Sequence, residues 1–356
     1  MYLAGIGLAV PETSYTQAQC WQALQTAAPR LALNARSWSL LRKVLLGDSW
    51  IERRHLTYTD LAEAFDPSPD SLHYRFRRHA PELAAHAARR ALADAGLTPV
   101  ELDAVVISTC TGYLCPGLTS YVVEQLGLRS DIATFDLVGH GCAAAIPNWQ
   151  MADALLAGGR ARCVLTICVE IRSAAMYLDD DPGVLISACL FGDGASALIF
   201  SAEPPSQGRR VRWRHFENAT IPARRDLLRF EQRDGKLRNI LSIEVPAVAA
   251  PAAREVLDNA LRRTGVARAD IRRWLLHPGG KTVLLALRDA LELTDADLAL
   301  SRAVLRQYGN LSSASLGFIL HAALTGPTPA GYWWLGSFGA GFACHGALVE
   351  VEPCRP

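Results

Sequence analysis

The chain has almost no net charge. Its 36 Lys and Arg residues stand against 35 Asp and Glu, leaving +1. That removes the electrostatic argument for a nucleic-acid partner or an anionic membrane surface. No run of about 18 apolar residues occurs, so no membrane span is expected. The opening stretch, Met1-Tyr-Leu-Ala-Gly-Ile-Gly, lacks the charged n-region of a signal peptide and reads as a first strand. Nine cysteines include no CxxC pair, which argues against a zinc site. An odd number of cysteines in a large chain fits reduced thiols in a cytoplasm.

What is present is apolar bulk. Half of the 356 residues are hydrophobic, enough for two domains or one large one. One stretch organises the rest: Phe135-Asp-Leu-Val-Gly-His-Gly-Cys142-Ala-Ala-Ala-Ile-Pro-Asn-Trp149. A strand-like run ends at Val138, and Gly139 and Gly141 permit a tight turn. A helix pattern then runs to about Ala157 and stops at Gly158-Gly159. Cys142 therefore falls at a helix start, where orphan N–H groups and the helix dipole favour a thiolate. The structural alternative is a small buried hydrophobe. A rival functional reading takes Gly139-x-Gly141-x-x-Ala144 as a dinucleotide fingerprint, with Glu170 binding a ribose. Glu170 comes roughly ten residues late for that role.

The chain also repeats itself. Ala91-Leu-Ala-Asp-Ala-Gly96, a linker and Val105-Val-Ile-Ser108 match Ala260-Leu-Arg-Arg-Thr-Gly265, a linker and Trp274-Leu-Leu-His277, without a gap. Cys142 with Ala154-Leu-Leu-Ala-Gly158 matches Asn310 with Ala322-Ala-Leu-Thr-Gly326. Phe191-Gly-Asp-Gly194 matches Phe338-Gly-Ala-Gly341, each expected to open a strand. A shared order of this kind points to one unit used twice, over residues 1–205 and 206–356. Continuous apolar runs such as Cys163–Val169 predict strands covered on both faces, hence an α/β fold with layered sheets. If two such halves pack about a pseudo-twofold axis, the starts bearing Cys142 and Asn310 face each other. His277 approaches from the second half.

In combination, Cys142 in a Gly-x-Gly-Cys-Ala turn, His277-Pro-Gly-Gly280, Tyr308-Gly-Asn310-Leu-Ser-Ser313 and the two glycine loops resemble the type III polyketide synthases, the chalcone synthase-like family. The resemblance spans nearly the whole chain. It implies the thiolase fold, two duplicated αβαβα-type halves in a five-layer core. It also implies a homodimer, acyl-CoA and malonyl-CoA as substrates, and a Cys142–His277–Asn310 triad with no metal or organic cofactor. Phe191 is implied as a gate on the malonyl group. Cys115 stands where many members place a methionine that reaches the partner's cavity, and Cys110 where some bacterial members carry a pocket cysteine. Ala175, Asn239 and Ser312 are implied to set cavity size. The last glycine loop departs from the family: it reads Phe338-Gly-Ala340-Gly rather than Phe-Gly-Pro-Gly.

The basic, apolar-backed segment from Leu40 to His55 offers Arg42 and Lys43 for coenzyme A phosphates, with Arg53 and Arg54 a weaker pair; its bland reading is a solvated helix face. Cys142 is expected to gain thiolate character from an imidazolium at His277. Glu170 reads as a structural acid near the Cys142 helix. A single-condensation ketoacyl synthase served by an acyl carrier protein is the nearest alternative within the fold.

Overall fold

The computed structural model describes residues 1–65, 67–205 and 210–352. The expected boundary after residue 205 abuts residues outside that set, and Cys354 also lies outside it. Nine strands form the main sheet: β1 (Tyr2–Ala9), β2 (Ala104–Ser108), β3 (Ala133–Leu137), β4 (Cys163–Glu170), β5 (Gly194–Ser201), β6 (Val211–Thr220), β7 (Ile271–Leu276), β8 (Gly331–Gly339) and β9 (Ala343–Val351). Their order is β7-β8-β9-β6-β1-β5-β4-β2-β3. The junction between β6 and β1 is slight, a register of Tyr2 with Arg212.

On either side of that junction the pattern repeats. Going outward from β1, strands β5, β4 and β2 pair antiparallel, antiparallel, then parallel. Going outward from β6, strands β9, β8 and β7 do the same. The connections repeat as well. Helix α3 (Pro69–Ala95) ends on Gly96 at φ 64°, and α7 (Val245–Thr264) ends on Gly265 at φ 70°. Each glycine takes the left-handed cap that stops a helix at little steric cost. A short 3₁₀ turn follows each cap, Pro99–Glu101 and Arg268–Asp270, and leads into β2 and β7. Each long helix also carries an internal proline, Pro81 and Pro251. One difference stands out. The edge strand β3 has no counterpart beside β7 among the described residues; a helix, Ala299–Tyr308, leads to Asn310 instead, which makes an isolated bridge to Phe191.

Five layers result. The remaining helices are α1 (Gln17–Ala27), α2 (Ala35–Leu46), α4 (Leu118–Leu126), α5 (Ala145–Ala157), α6 (Pro182–Leu190), α8 (Lys281–Ala290), α9 (Ala299–Tyr308) and α10 (Ser315–Thr325). Helices α5 and α10 lie between the two strand sets, where Trp149, Ile319, Val106, Leu275 and Val349 share one core. Helices α3 and α4 cover the outer face of the first set, and α7 and α8 that of the second. Strand β4 is buried at all of its positions, as its unbroken apolar run predicts for a strand covered on both faces. Trp149, Phe200 and Trp213 meet edge-to-face at centroid distances of 4.8–6.4 Å, tying the middle layer to both strand sets. Each such ring stabilises the fold by about 1.5–3 kcal/mol through burial alone.

Both glycine loops open a strand as expected, Phe191–Gly194 leading into β5 and Phe338–Gly341 into β9, with Phe338 also lying in the end of β8. No helix among the described residues is long and apolar enough to cross a membrane.

Candidate active site

Strand β3 leads into the turn that carries Cys142. Gly139 takes φ 93° and Gly141 φ 54°, angles that would strain any residue with a side chain. Cys142 occupies a 3₁₀ turn, Gly141–Ala143, and α5 starts at Ala145. The end of β8 backs this turn. A methyl group added to Gly339 would lie 2.5 Å from both Ala143 N and His140 O, so only glycine allows the approach.

Two segments of the second half approach this turn, the Ser312–Ala314 turn directly and His277 by way of Phe338, next to Gly339. His277 follows β7, its N–H donating to Gly336 O at 2.8 Å and its ring edge-on to Phe338 at 5.5 Å. Asn310 follows α9, its N–H donating to Leu190 O at 3.0 Å. The Ser312–Ala314 turn then packs on the Cys142 turn, and Ser312 Oγ donates to Cys142 Sγ at 3.3 Å. The Asn310 carboxamide is oriented by its neighbour. Its Oδ1 accepts from Ser312 N at 2.8 Å, and among the described residues no acceptor engages Nδ2. The amide is thus left to donate.

Electrostatics correct one expectation. Burial pushes the Cys142 thiol up to about 11, against smaller downward pulls from the Ser312 hydroxyl and the Arg172 charge. Burial lowers His277 to about 3. Its Nε2 is buried without a hydrogen-bond partner, so it is not bonded to Cys142 Sγ. The resting pair is therefore a neutral thiol and a neutral imidazole, not the expected thiolate and imidazolium. Removing both groups from water outweighs the helix start.

Glu170 is fully buried at the end of β4. It accepts from Cys110 N at 3.0 Å, from Thr111 Oγ1 at 3.1 Å and, in a short bond, from Ser313 Oγ. A carboxylate so engaged cannot reach a ribose, and the dinucleotide reading fails. Glu170 instead ties the first half to the loop after Asn310. Cys110 Sγ lies 3.3 Å from Ser312 Oγ, so that one hydroxyl spans both thiols. Ser312, expected to set cavity size, is hydrogen-bonded to the Cys142 sulfur as well.

Phe191, Ala175 and Asn239 line one cleft with about 270 Å³ of atom-free space. Other expected residues stand elsewhere. Arg42 and Lys43 are exposed on α2 and do not line this cleft. Cys115 is exposed. Arg54 is a correction: it is only 2% exposed. Its guanidinium donates to Gln17 Oε1, Ala188 O and Phe191 O at 2.7–3.0 Å, which leaves it unavailable to phosphates. His140, two residues before Cys142, sits edge-on to His345 at 6.0 Å.

Sequence reasoning missed Asp193 and Arg172. Asp193 is fully buried and accepts from Thr57 N and Ser173 N, both at 2.8 Å, fixing the loop after Phe191. The only signal for Arg172 was a charge placed two residues after the buried strand β4.

Comparison with known proteins is consistent with this architecture. Residues 13–225 match the family model described as FAE1/type III polyketide synthase-like protein, and residues 218–326 match the chalcone and stilbene synthase C-terminal domain. A 3,5-dihydroxyphenylacetyl-CoA synthase of Amycolatopsis orientalis is 32% identical over 98% of this chain and 92% of its own length. A 1,3,6,8-tetrahydroxynaphthalene synthase of Streptomyces peucetius subsp. caesius is 32% identical over 75% of this chain and 72% of its own. In fold, the crystal structure of the Streptomyces coelicolor 1,3,6,8-tetrahydroxynaphthalene synthase superposes with a TM-score of 0.89, at 23% identity, covering 99% of this chain and all of that one.

Proposed function

The chain belongs to the type III polyketide synthase family, and from that premise we propose how its own residues divide the work of building a polyketide with malonyl-CoA as extender. Cys142 is the proposed nucleophile. On binding an acyl-CoA, its thiol proton passes to the unpartnered Nε2 of His277. The sulfur then attacks the thioester carbonyl and coenzyme A leaves as its thiolate, which solvent protonates, while Nε2 keeps the proton taken from Cys142. Malonyl-CoA next loses its carboxylate as CO2, and the electron pair of the broken C–C bond becomes a thioester enolate. His277 Nε2–H and Asn310 Nδ2–H donate to the enolate oxygen. The enolate carbon attacks acyl-Cys142, a C–C bond forms, and the Cys142 sulfur is released. Return of the longer chain to Cys142 allows another round.

The observation that carries this reading is the packing of the Ser312 turn on Cys142 Sγ with Asn310 oriented to donate, beside a His277 nitrogen buried without a partner. Phe191 closes one wall of the cleft, where it would exclude water from the malonyl group.

The test is mass spectrometry of intact protein after a panel of acyl-CoAs, with peptide mapping of the adduct and product analysis with labelled malonyl-CoA. An adduct on Cys142 and malonyl-dependent products support the proposal. Adducts on Cys110 or Cys115 with none on Cys142 refute the assignment.

Residues 1–205 and 206–356 are proposed as the two halves, in keeping with the repeated strand order. A homodimer is proposed as well. The edge strand β3 is mostly exposed, and Val138, which follows it, is 64% exposed. Light scattering would measure the mass. No step requires a cofactor, so turnover should survive dialysis against a chelator. Arg42 and Lys43 remain proposed for coenzyme A phosphates, and Cys115 for contact with the second subunit. A reducing cytoplasm is the proposed location, because the nucleophile must stay a free thiol.

A further inference from the structure

Arg172 has no use in the scheme above. It opens the 3₁₀ turn Arg172–Ala175 just after β4 and is 4% exposed. Its guanidinium stacks over Phe191 at 3.8 Å and over Phe230 at 4.9 Å. Two aromatic faces hold the plane, which leaves only its edges for recognition. Among the described residues those edges meet nothing: the side chain makes no hydrogen bond or ion pair, and its Nε is buried without a partner.

The carboxylates nearby are already engaged. Glu170 is held by Thr111, Cys110 N and Ser313; Asp193 by Thr57 and Ser173; Asp181 by Arg238 at 2.7 Å. A buried cation without a counter-charge is costly, so the fold keeps it at the expense of stability. It also lines the cleft with Phe191, Ala175 and Asn239, and is the one charged side chain in that lining. Phe191, under its plane, pairs with Asn310, whose turn packs on Cys142, so the guanidinium stands beside the candidate site.

We propose that Arg172 recognises the free carboxylate of the starter, so that the acyl groups loaded on Cys142 are short dicarboxylic monothioesters. A planar guanidinium with free edges matches a carboxylate in bidentate fashion. The carboxylate concerned is one that the substrate keeps. Pairing the carboxylate that leaves as neutral CO2 would stabilise the ground state and slow its loss.

This inference rests on Cys142 being the acyl carrier, and the experiment separates the two. The protein is incubated with equimolar succinyl-CoA and butyryl-CoA, which match in carbon count and cannot decarboxylate as malonyl does. Adducts on Cys142 are quantified by intact mass and peptide mapping. The expected succinyl-to-butyryl ratio is about tenfold or more. It should fall to about one or below in Arg172→Leu and stay intermediate in Arg172→Lys, which keeps charge but not the planar fork. A wild-type ratio at or below one, or a ratio unchanged in Arg172→Leu, overturns the inference while leaving Cys142 as carrier. No adduct of either kind on Cys142 overturns both. The wild-type competition decides even if Arg172→Leu does not fold.

Discussion

The Cys142 turn and the Asn310 turn occupy matching places in the two halves, yet they are built differently. The first is delivered by a regular strand, β3, and bent by glycines at φ 93° and 54°. The second follows a helix, α9, and is bent by Gly309 at φ 69° and by Ser312 at φ 51°, a non-glycine in the left-handed region. Such a residue is uncommon and has to be held by its surroundings. Here the Ser312 hydroxyl bonds Cys142 and its N–H bonds Asn310. On the proposed scheme the glycine turn carries the reacting sulfur and the serine turn the donors around it, so one repeated unit would supply chemistry from one copy and charge stabilisation from the other.

Four experiments press on that division, the largest effect first. Cys142→Ala should abolish acyl loading and chain extension, a loss on the order of 10⁴-fold or more. Loading that persists would move the nucleophile out of the first turn. Next, the alkylation rate of Cys142 by iodoacetamide should climb about tenfold per pH unit from 7 to 10. The sign follows from burial: a thiol raised to about 11 is almost all protonated at neutral pH. Because His277 is lowered to about 3, no inflection is expected between pH 6 and 7. An inflection there would show an imidazolium partner in the free enzyme.

Asn310→Ala removes one donor, so condensation should slow about 10²–10³-fold while loading on Cys142 continues. Equal loss of loading and condensation would erase the contrast between the turns. The smallest effect expected is on stability. Glu170→Gln cannot accept the same three donors, and the cost should be about 1–3 kcal/mol in chemical denaturation. An unchanged midpoint would mean that the link from Glu170 to Ser313 does not hold the turns together.

How much of this could be read beforehand differs with the physics involved. The helix caps at Gly96 and Gly265, the buried strand β4 and the turn at Cys142 follow from local rules, and all are present in the structure. The facing arrangement of Cys142 and Asn310 came from symmetry and the resemblance, since spacing alone does not bring residues 168 positions apart together. Protonation was misread because a helix start is visible in sequence and the depth of burial is not. Arg54 was misread for a similar reason. A basic segment looks like a surface, and only the packing of Gln17, Cys20 and α6 around it makes it internal. Arg172 went unnoticed because its meaning lies in what does not contact it.

Arg54 also bears on assembly. It belongs to the short strand Arg53–His55, which pairs with Ser14–Thr16, and it grips the main chain at Ala188 and Phe191. The short strand pair of Ser14–Thr16 and Arg53–His55, which lies after β1, is therefore the fastening for the aromatic wall of the Phe191 cleft. Loosening it at Arg54 alone would leave both strand sets intact and that wall unlatched.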